Sequence, residues 1–178
     1  MSVIAAQTIS IATPEFAERQ SRRNNSPHQA IWRVLDSVCD PELPGLTIWD
    51  LGVLQDVDFD EKAHQWLIKI TTTYSGCPAV ETIADDVKKA IAQSGHGLAK
   101  IQMVLAPAWS TEMMSPAGRA QLAQLQISPP KNNEETATQC PHCGSYHTHL
   151  ISQFGSTACK SLYQCDECQQ PFDYFKKF

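Results

Sequence analysis

Four of the seven cysteines in the chain fall into two CxxC pairs, CPHCG at 140–144 and CDEC at 165–168. Two thiolates two residues apart can face the same ion, and two such pairs complete the tetrahedral sulfur shell that is typical of structural zinc. A cysteine-rich ribbon without metal and an iron site are the alternatives. The predicted ligands of a structural Zn²⁺ ion are Cys140, Cys143, Cys165 and Cys168.

The other thiol of this C-terminal segment, Cys159, is open to three interpretations. It is a buried small residue, a substitute ligand or a reactive group, and we expect burial. Cys39 lies near the end of a predicted helix and is most simply a core residue. The three nearby histidines are expected on the surface or in strands, because four cysteines already fill a tetrahedral shell. They are His142, His147 and His149.

Outside the zinc segment, Cys77 lies in a sequence context that suggests a reactive or metal-binding thiol. It follows the Thr-rich run TTTYSG and precedes Pro78 and a helical pattern. With Cys77 at the N-cap and Pro78 at the first helical position, unpaired N–H groups and the helix dipole would lower the thiol pKa. A thiolate suits iron-sulfur ligation or nucleophilic catalysis. The alternative is a small residue that fits a tight turn, and local spacing does not decide between the two.

Three acidic residues, Asp40, Glu42 and Asp50, lie on the loop after the first predicted helix. This loop could approach the end of the sheet that carries Cys77. A solvated loop face or helix capping is the alternative role for each acid.

The periodicity predicts an α+β fold, a small mixed sheet with packed helices followed by a small β-rich zinc ribbon. A helix runs from His28 to the Asp40-Pro41 step, and VLQDVDF and WLIKITT form a hairpin. A second helix over 78–93 precedes the strand IQMVLA, and a third helix starts at Ser115 and Pro116.

These elements divide the chain into four parts. Residues 1–27 are polar toward their end and are expected to form a flexible leader. The α+β domain covers 28–127, and the segment SPPKNNEETATQ makes 128–139 a linker. The ribbon at 140–178 is too small to fold alone, so metal binding is expected to supply much of its folding free energy, on the order of 10 kcal/mol.

Composition excludes several classes of function. The net charge is -5, and the ribbon carries three lysines against three acidic residues, so the sequence predicts no nucleic-acid partner. No apolar run is long enough to span a bilayer, and the N-terminal residues lack the basic start of a secretory signal. We therefore expect a cytoplasmic protein without a membrane partner.

Two segments resemble a known family. CDPELPGLTIWDLGVLQDV, followed by TTTYSGCPAVETI, resembles the iron-sulfur assembly domain of the SufT and MIP18-like type, with its DPE-P, DLG and GCP motifs. The later segments APAWSTEMMS, ISPP and FGSTACK, together with PFDYFK, make residues 28–178 similar to the PaaD family. Those proteins are accessory subunits of the phenylacetyl-CoA oxygenase (epoxidase) system.

The resemblance implies a maturation factor in aerobic phenylacetate catabolism, with the oxygenase and reductase components as partners. The reductase of such a system carries flavin and a [2Fe-2S] centre, and the factor would help to assemble or insert that centre. Cys77 is then the thiolate that handles a transient cluster, and Asp40, Glu42 and Asp50 shape its site. A single thiol cannot hold a cluster, which implies a homodimer or a transient complex with the client.

The chain lacks the paired Glu-x-x-His motifs of a di-iron oxygenase, the GxGxxG motif of a dinucleotide site and a plant-type ferredoxin motif. We therefore expect an accessory protein without catalytic residues. The alternative is a structural subunit of the oxygenase complex that binds no cluster.

Overall fold

A computed structural model describes residues 12–74, 76–130 and 137–178. Within these ranges the helices are α1 (Pro14–Asn25), α2 (Gln29–Leu35), α3 (Ala79–Gln93) and α4 (Pro116–Gln124), with a 3₁₀ turn at Thr111–Met113. The strands are β1 (Leu54–Asp60), β2 (Gln65–Ile70), β3 (Ala99–Met103), β4 (Ile127–Ser128), β5 (Thr148–Ser152), β6 (Lys160–Cys165) and β7 (Pro171–Phe175). Across the described part of the chain, no helix has the length and apolar content needed to cross a bilayer.

The first sheet has the strand order β1-β2-β3. β1 and β2 form the predicted antiparallel hairpin, whereas β2 and β3 run parallel because α3 carries the chain back between them. Val57, Ile68 and Ile70 point into the core, where α2 and α3 pack. The predicted α+β class with a mixed sheet is confirmed.

α3 is the element that follows Cys77 directly. Its buried residues Ile83, Val87 and Ile91 recur every four positions, which is the period of a helix face. The helix ends at Gln93 with Ser94 as its C-cap, and Gly95 has a positive φ of 77°, as expected after a helix C-terminus. The N-cap is Pro78, one residue later than the sequence pattern predicted.

Part of the predicted flexible leader is helical in the structure, because residues 14–25 form α1. Thr13 caps this helix, and Phe16 and Arg19 are buried on its inner face. The Arg19 guanidinium donates to the carbonyls of Met113, Trp49 (3.0 Å) and Leu54 (2.7 Å). A buried arginine breaks the apolar periodicity from which a helix is predicted. Residues 1–11 of the predicted leader lie outside the described residues.

The second sheet has the strand order β4-β7-β6-β5. Its first strand, Ile127–Ser128, precedes the ribbon in sequence and pairs in parallel with β7. The sheet of the ribbon therefore begins at residue 127, the predicted end of the first domain. The first residue of the expected linker, Ser128, belongs to this strand. Pro130 in the same segment accepts a hydrogen bond from buried Arg119 (2.9 Å), while 131–136 lie outside the described residues. A two-residue strand is too short to show an alternating pattern.

The two sheets share one hydrophobic core. Ile127, Cys159 and Phe175 belong to the same cluster of buried residues as α2 and α3. The Trp109 ring lies 6.1 Å from that of Phe175 and 5.8 Å from that of Phe178. The ribbon is thus packed against the α+β domain through apolar and aromatic contacts.

We predict that Arg19→Met lowers the free energy of unfolding by about 3 kcal/mol, because three buried carbonyls lose a charged donor while the apolar length is kept. The matched control is Arg22→Met on the exposed side of the same helix, which should change stability by less than about 0.5 kcal/mol. Urea unfolding measures the stability of both variants. Equal unfolding midpoints for the two would show that the hydrogen bonds of Arg19 do not stabilise the packing of α1.

Candidate functional site

The four cysteines of the CxxC pairs come together as predicted. All four sulfurs lie within 4.8 Å of one another. The distance from Cys140 Sγ to Cys168 Sγ is 3.7 Å, and that from Cys143 Sγ to Cys165 Sγ is 3.5 Å. Four ligands at about 2.3 Å from a tetrahedral ion are separated by about 3.8 Å, so this group has the size of a tetrathiolate metal site.

Backbone N–H groups support this tetrathiolate site. Each sulfur accepts a hydrogen bond from at least one N–H group of its own loop. The chain turns after each pair at residues with positive φ, Gly144 (79°) and Gln169 (60°). The N–H of Cys168 is the main cause that lowers the pKa of Cys165 to about 7. The loop N–H groups thus favour the thiolate, the form that binds metal, whereas burial opposes it and the pKa values of Cys140, Cys143 and Cys168 are raised.

The histidines near this site are paired with acidic side chains or a carbonyl. His147 Nδ1 lies 2.8 Å from Glu167, and His149 Nδ1 lies 2.7 Å from Asp166. His142 approaches the carbonyl of Pro171 at 3.4 Å. None of the three is needed as a ligand, because four thiols already complete the shell.

Cys77 lies between β2 and α3, is half-buried, and packs against the main core. Its sulfur accepts hydrogen bonds from the N–H of Ala79 and from the hydroxyl of Tyr74. Gly76, directly before the thiol, has a φ of 84° and open space beside its Cα. The predicted proximity of Cys77 to the start of a helix is thus observed, with one N–H donor in place.

The predicted low pKa of Cys77 is wrong, because burial outweighs the hydrogen bonds. Burial raises the pKa of this thiol, and the charges of Glu42 and Asp40 raise it further, whereas Ala79 and Tyr74 oppose the rise. The cap position moved to Pro78, which has no N–H to donate. In the absence of a ligand Cys77 is therefore a neutral thiol at pH 7.

Two of the three predicted acids act on Cys77 through their charge. Asp40 is buried, its Oδ1 accepts a hydrogen bond from the N–H of Glu42 (2.8 Å), and burial raises its pKa. Glu42 is half-buried, and its charge acts on Cys77. The loop that follows α2 therefore delivers negative charge to the thiol, as the sequence suggested.

Asp50 has different neighbours. Its two carboxylate oxygens accept hydrogen bonds from Thr47 Oγ1 (2.7 Å) and Ser115 Oγ (2.5 Å). Its carbonyl accepts the N–H of Ser115 at 2.9 Å and lies where a Cβ on Gly118 would collide, at 2.6 Å. The structure thus places Asp50 at the start of α4, and its two oxygens are already occupied by hydroxyl groups.

Sequence reasoning missed Tyr74 and left the position of Cys159 open. Cys159 is buried, as expected, and lies in the core that also contacts Cys77. Tyr74 donates to Cys77, and burial, with the charges of Cys77, Glu42 and Cys159, raises the pKa of Tyr74 to about 12. The position of Tyr74 three residues before Cys77 was the available signal. Nothing local connects Cys159 to Cys77.

We predict that the metal-free chain alkylates slowly at Cys77, with a rate that rises only at a higher pH than for free cysteine, because burial raises the pKa of this thiol. Tyr74→Phe should slow the reaction at a given pH, since it removes a donor to the thiolate. Glu42→Gln should accelerate it, since it removes a negative charge. Mass spectrometry of the Cys77 peptide measures the rates, and a half-maximal rate at a pH below that of free cysteine would contradict this environment.

Two family models match adjacent parts of the chain. The family described as "Iron-sulfur cluster assembly protein" matches residues 28–103, which include Asp40, Glu42 and Cys77. The family described as "PaaD zinc beta ribbon domain" matches residues 126–176, which include the tetrathiolate site and Cys159.

Individual proteins extend these matches. Among solved structures, a domain of unknown function from Bacillus anthracis is 31% identical, covering 60% of this chain and 95% of that chain with a TM-score of 0.48. An Fe-S protein maturation auxiliary factor of Bacillus subtilis (strain 168) is 40% identical over 86 residues, covering 48% of this chain and 82% of that protein.

A longer match comes from Escherichia coli (strain K12). One of its proteins, a putative subunit of 1,2-phenylacetyl-CoA epoxidase, is 45% identical over 151 residues, which cover 82% of this chain and 90% of that protein. On this similarity the chain belongs to the PaaD family of phenylacetyl-CoA epoxidase subunits.

Proposed function

We propose that this protein is an accessory maturation factor of the phenylacetyl-CoA epoxidase system, acting in iron-sulfur cluster assembly or insertion into the reductase component. Its family membership supports an accessory role in phenylacetate catabolism. The match of residues 28–103 to iron-sulfur assembly proteins supports the cluster-related part of the role.

The observation that carries the proposal is the environment of the Cys77 sulfur. The thiol is half-buried next to Gly76, which has open space beside its Cα, and the sulfur accepts hydrogen bonds from the Ala79 N–H and the Tyr74 hydroxyl. Such donors stabilise a thiolate once an iron ion displaces the proton. Because the pKa of Cys77 is raised, the thiol stays neutral until a metal ion binds.

We propose distinct roles for the two thiol sites. Cys77, with Asp40 and Glu42, handles the cluster as cargo, whereas the tetrathiolate site holds a resident structural Zn²⁺ ion. The four-sulfur set leaves no open position for a substrate, which is the arrangement of structural zinc. The ion would fix the loops of the ribbon and thereby support the face that packs on the α+β domain.

The second candidate is a structural subunit of the epoxidase complex that carries no cluster. Its support is the packing of Cys77 against the core together with the raised pKa of the thiol. Both candidates have the epoxidase components as partners, and only the first requires the sulfur of Cys77.

We predict one zinc ion per chain in the purified protein, lost in Cys143→Ser because an incomplete shell binds the ion far more weakly. The matched control is Cys39→Ser, a half-buried thiol outside the tetrathiolate site, which should retain its zinc. Elemental analysis and thermal unfolding with a chelator provide the measurements. Iron in place of zinc at this site, or unchanged zinc in Cys143→Ser, would refute the assignment.

We predict that anaerobic reconstitution with iron and sulfide gives the full chain a cluster with visible absorbance, and that Cys77→Ser loses it while keeping zinc and its unfolding temperature. Loaded wild-type protein should activate the cluster-free reductase component, and Cys77→Ser treated in the same way should not. Full activation by Cys77→Ser would favour the structural subunit instead.

A further inference from the structure

Strand β5 and the residues after it present apolar side chains to solvent at the edge of the second sheet. Within the described ranges β5 pairs with β6 alone, so the backbone on its other side has no strand partner. The exposed fractions are 40% for Leu150, 49% for Ile151 and 68% for Phe154. The sequence from Thr148 to Phe154 contains no Lys, Arg, Asp, Glu or Pro. This edge therefore lacks the lysines and prolines that usually protect a free strand from pairing with another chain.

The shape of β5 limits the free part of this edge and turns one side chain outward. The Thr148 hydroxyl donates to the carbonyl of Thr138 (2.7 Å), so the chain before the ribbon lies against the start of the strand. A register shift between Leu150 and Ser152 leaves Ile151 without a partner on β6. A bulge can shield an edge by twisting it away, but here the extra side chain is itself half-exposed. Residues 149–154, with Ile151 near their middle, form the β5 edge.

The two ends of the β5 edge carry opposite charge. At its start, the carboxylates of Asp166 and Glu167 each lie within 2.8 Å of a histidine ring, and both side chains are more than half exposed. At its other end, the Lys176 ammonium lies 4.5 Å from the centroid of the Phe154 ring, and the next residue is the exposed Lys177. The edge thus has an acidic start and a basic end.

This arrangement of charge is complementary to itself. When two β5 strands pair in antiparallel fashion about a two-fold axis, the acidic start of one meets the basic end of the other, twice in each pair. Parallel pairing would bring like charges together. The ribbon has three lysines and three acidic residues, so the net charge of -5 lies outside it and two ribbons can approach without net repulsion.

We propose that the β5 edge is the interface of a homodimer, in which two copies of β5 pair antiparallel and join their sheets into one. Backbone hydrogen bonds form between the strands, and Leu150, Ile151 and Phe154 lose their exposure to water against the second copy. So short an edge makes a small interface, below the roughly 1,200 Å² of the standard class, and we therefore expect a dissociation constant in the micromolar range. The inference does not depend on the proposed function, because neither Cys77 nor a cluster takes part.

Sedimentation of the full zinc-loaded chain over a range of concentrations tests the proposal. Ile151→Lys should raise the dissociation constant of the dimer by about tenfold or more, because it places a charge in the centre of the apolar contact. The matched control is Leu98→Lys, which introduces the same charge at an exposed leucine directly before β3 and should leave the dimer unchanged. Raising the salt concentration should weaken the wild-type dimer, since the contacts between its ends are ionic.

Cysteine cross-linking tests the position of the two-fold axis. Ile151→Cys should form a disulfide-linked dimer under mild oxidation faster than Leu98→Cys, because the two copies of residue 151 lie close together across the axis. The wild-type chain, treated in the same way, gives the background from native thiols.

Three results would overturn the proposal. They are a wild-type chain that stays monomeric at millimolar concentration, a dimer that is unchanged in Ile151→Lys, and cross-linking of Ile151→Cys no faster than that of Leu98→Cys. Hydrogen exchange separates a second copy from another partner. Protection of the β5 amides that rises with the concentration of the chain alone supports self-pairing, whereas protection that appears only when an epoxidase component is added would assign the edge to that component and refute the dimer.

Discussion

The packing of the ribbon against the α+β domain is the contact that holds the two modules on one hydrophobic core. The contact is made by buried residues at the ends of the ribbon strands, including Cys159 and Phe175, and by the rings around Trp109. It excludes water from the same region in which Asp40 and Tyr74 lie. Without this contact the buried side chains of Cys159 and Phe175 would lose their apolar cover.

Burial and negative charge explain why the site is neutral before it binds anything. Burial raises the pKa values of Cys77, Cys159 and Asp40, and the charge of Glu42 raises all three further. A metal cation reverses this balance, because it favours the ionised form of every group at once. A region that holds its protons when empty is thus suited to cargo that is positively charged and transient.

The sequence predicted the features that depend on local spacing. The CxxC pairs identified the tetrathiolate site, and the four-residue recurrence from Ile83 to Ile91 identified α3. It could not predict α1, because the inward position of that helix is taken by Arg19, whose partners are backbone carbonyls distant in sequence. The two-residue strand β4 carries too little pattern to be recognised.

The candidate site was predicted only in part for the same reason. The loop that follows α2 carries Asp40 and Glu42, whose charges act on Cys77. Asp50, further along the chain, instead accepts hydrogen bonds from Thr47 and from Ser115 at the start of α4. The low thiol pKa was predicted from the unpaired N–H groups and the dipole of the helix, and the desolvation that reverses it comes from packing. The burial of Cys159 in the main core depends on contacts between two modules, which no local pattern encodes.

The central claim is that Cys77, and not the tetrathiolate site, receives iron. Anomalous diffraction from crystals of the anaerobically reconstituted chain, recorded at the iron and zinc absorption edges, tests it most directly. We expect zinc among the four ribbon cysteines and iron next to the sulfur of Cys77. Iron confined to the ribbon, with Cys77 bare, would contradict the claim.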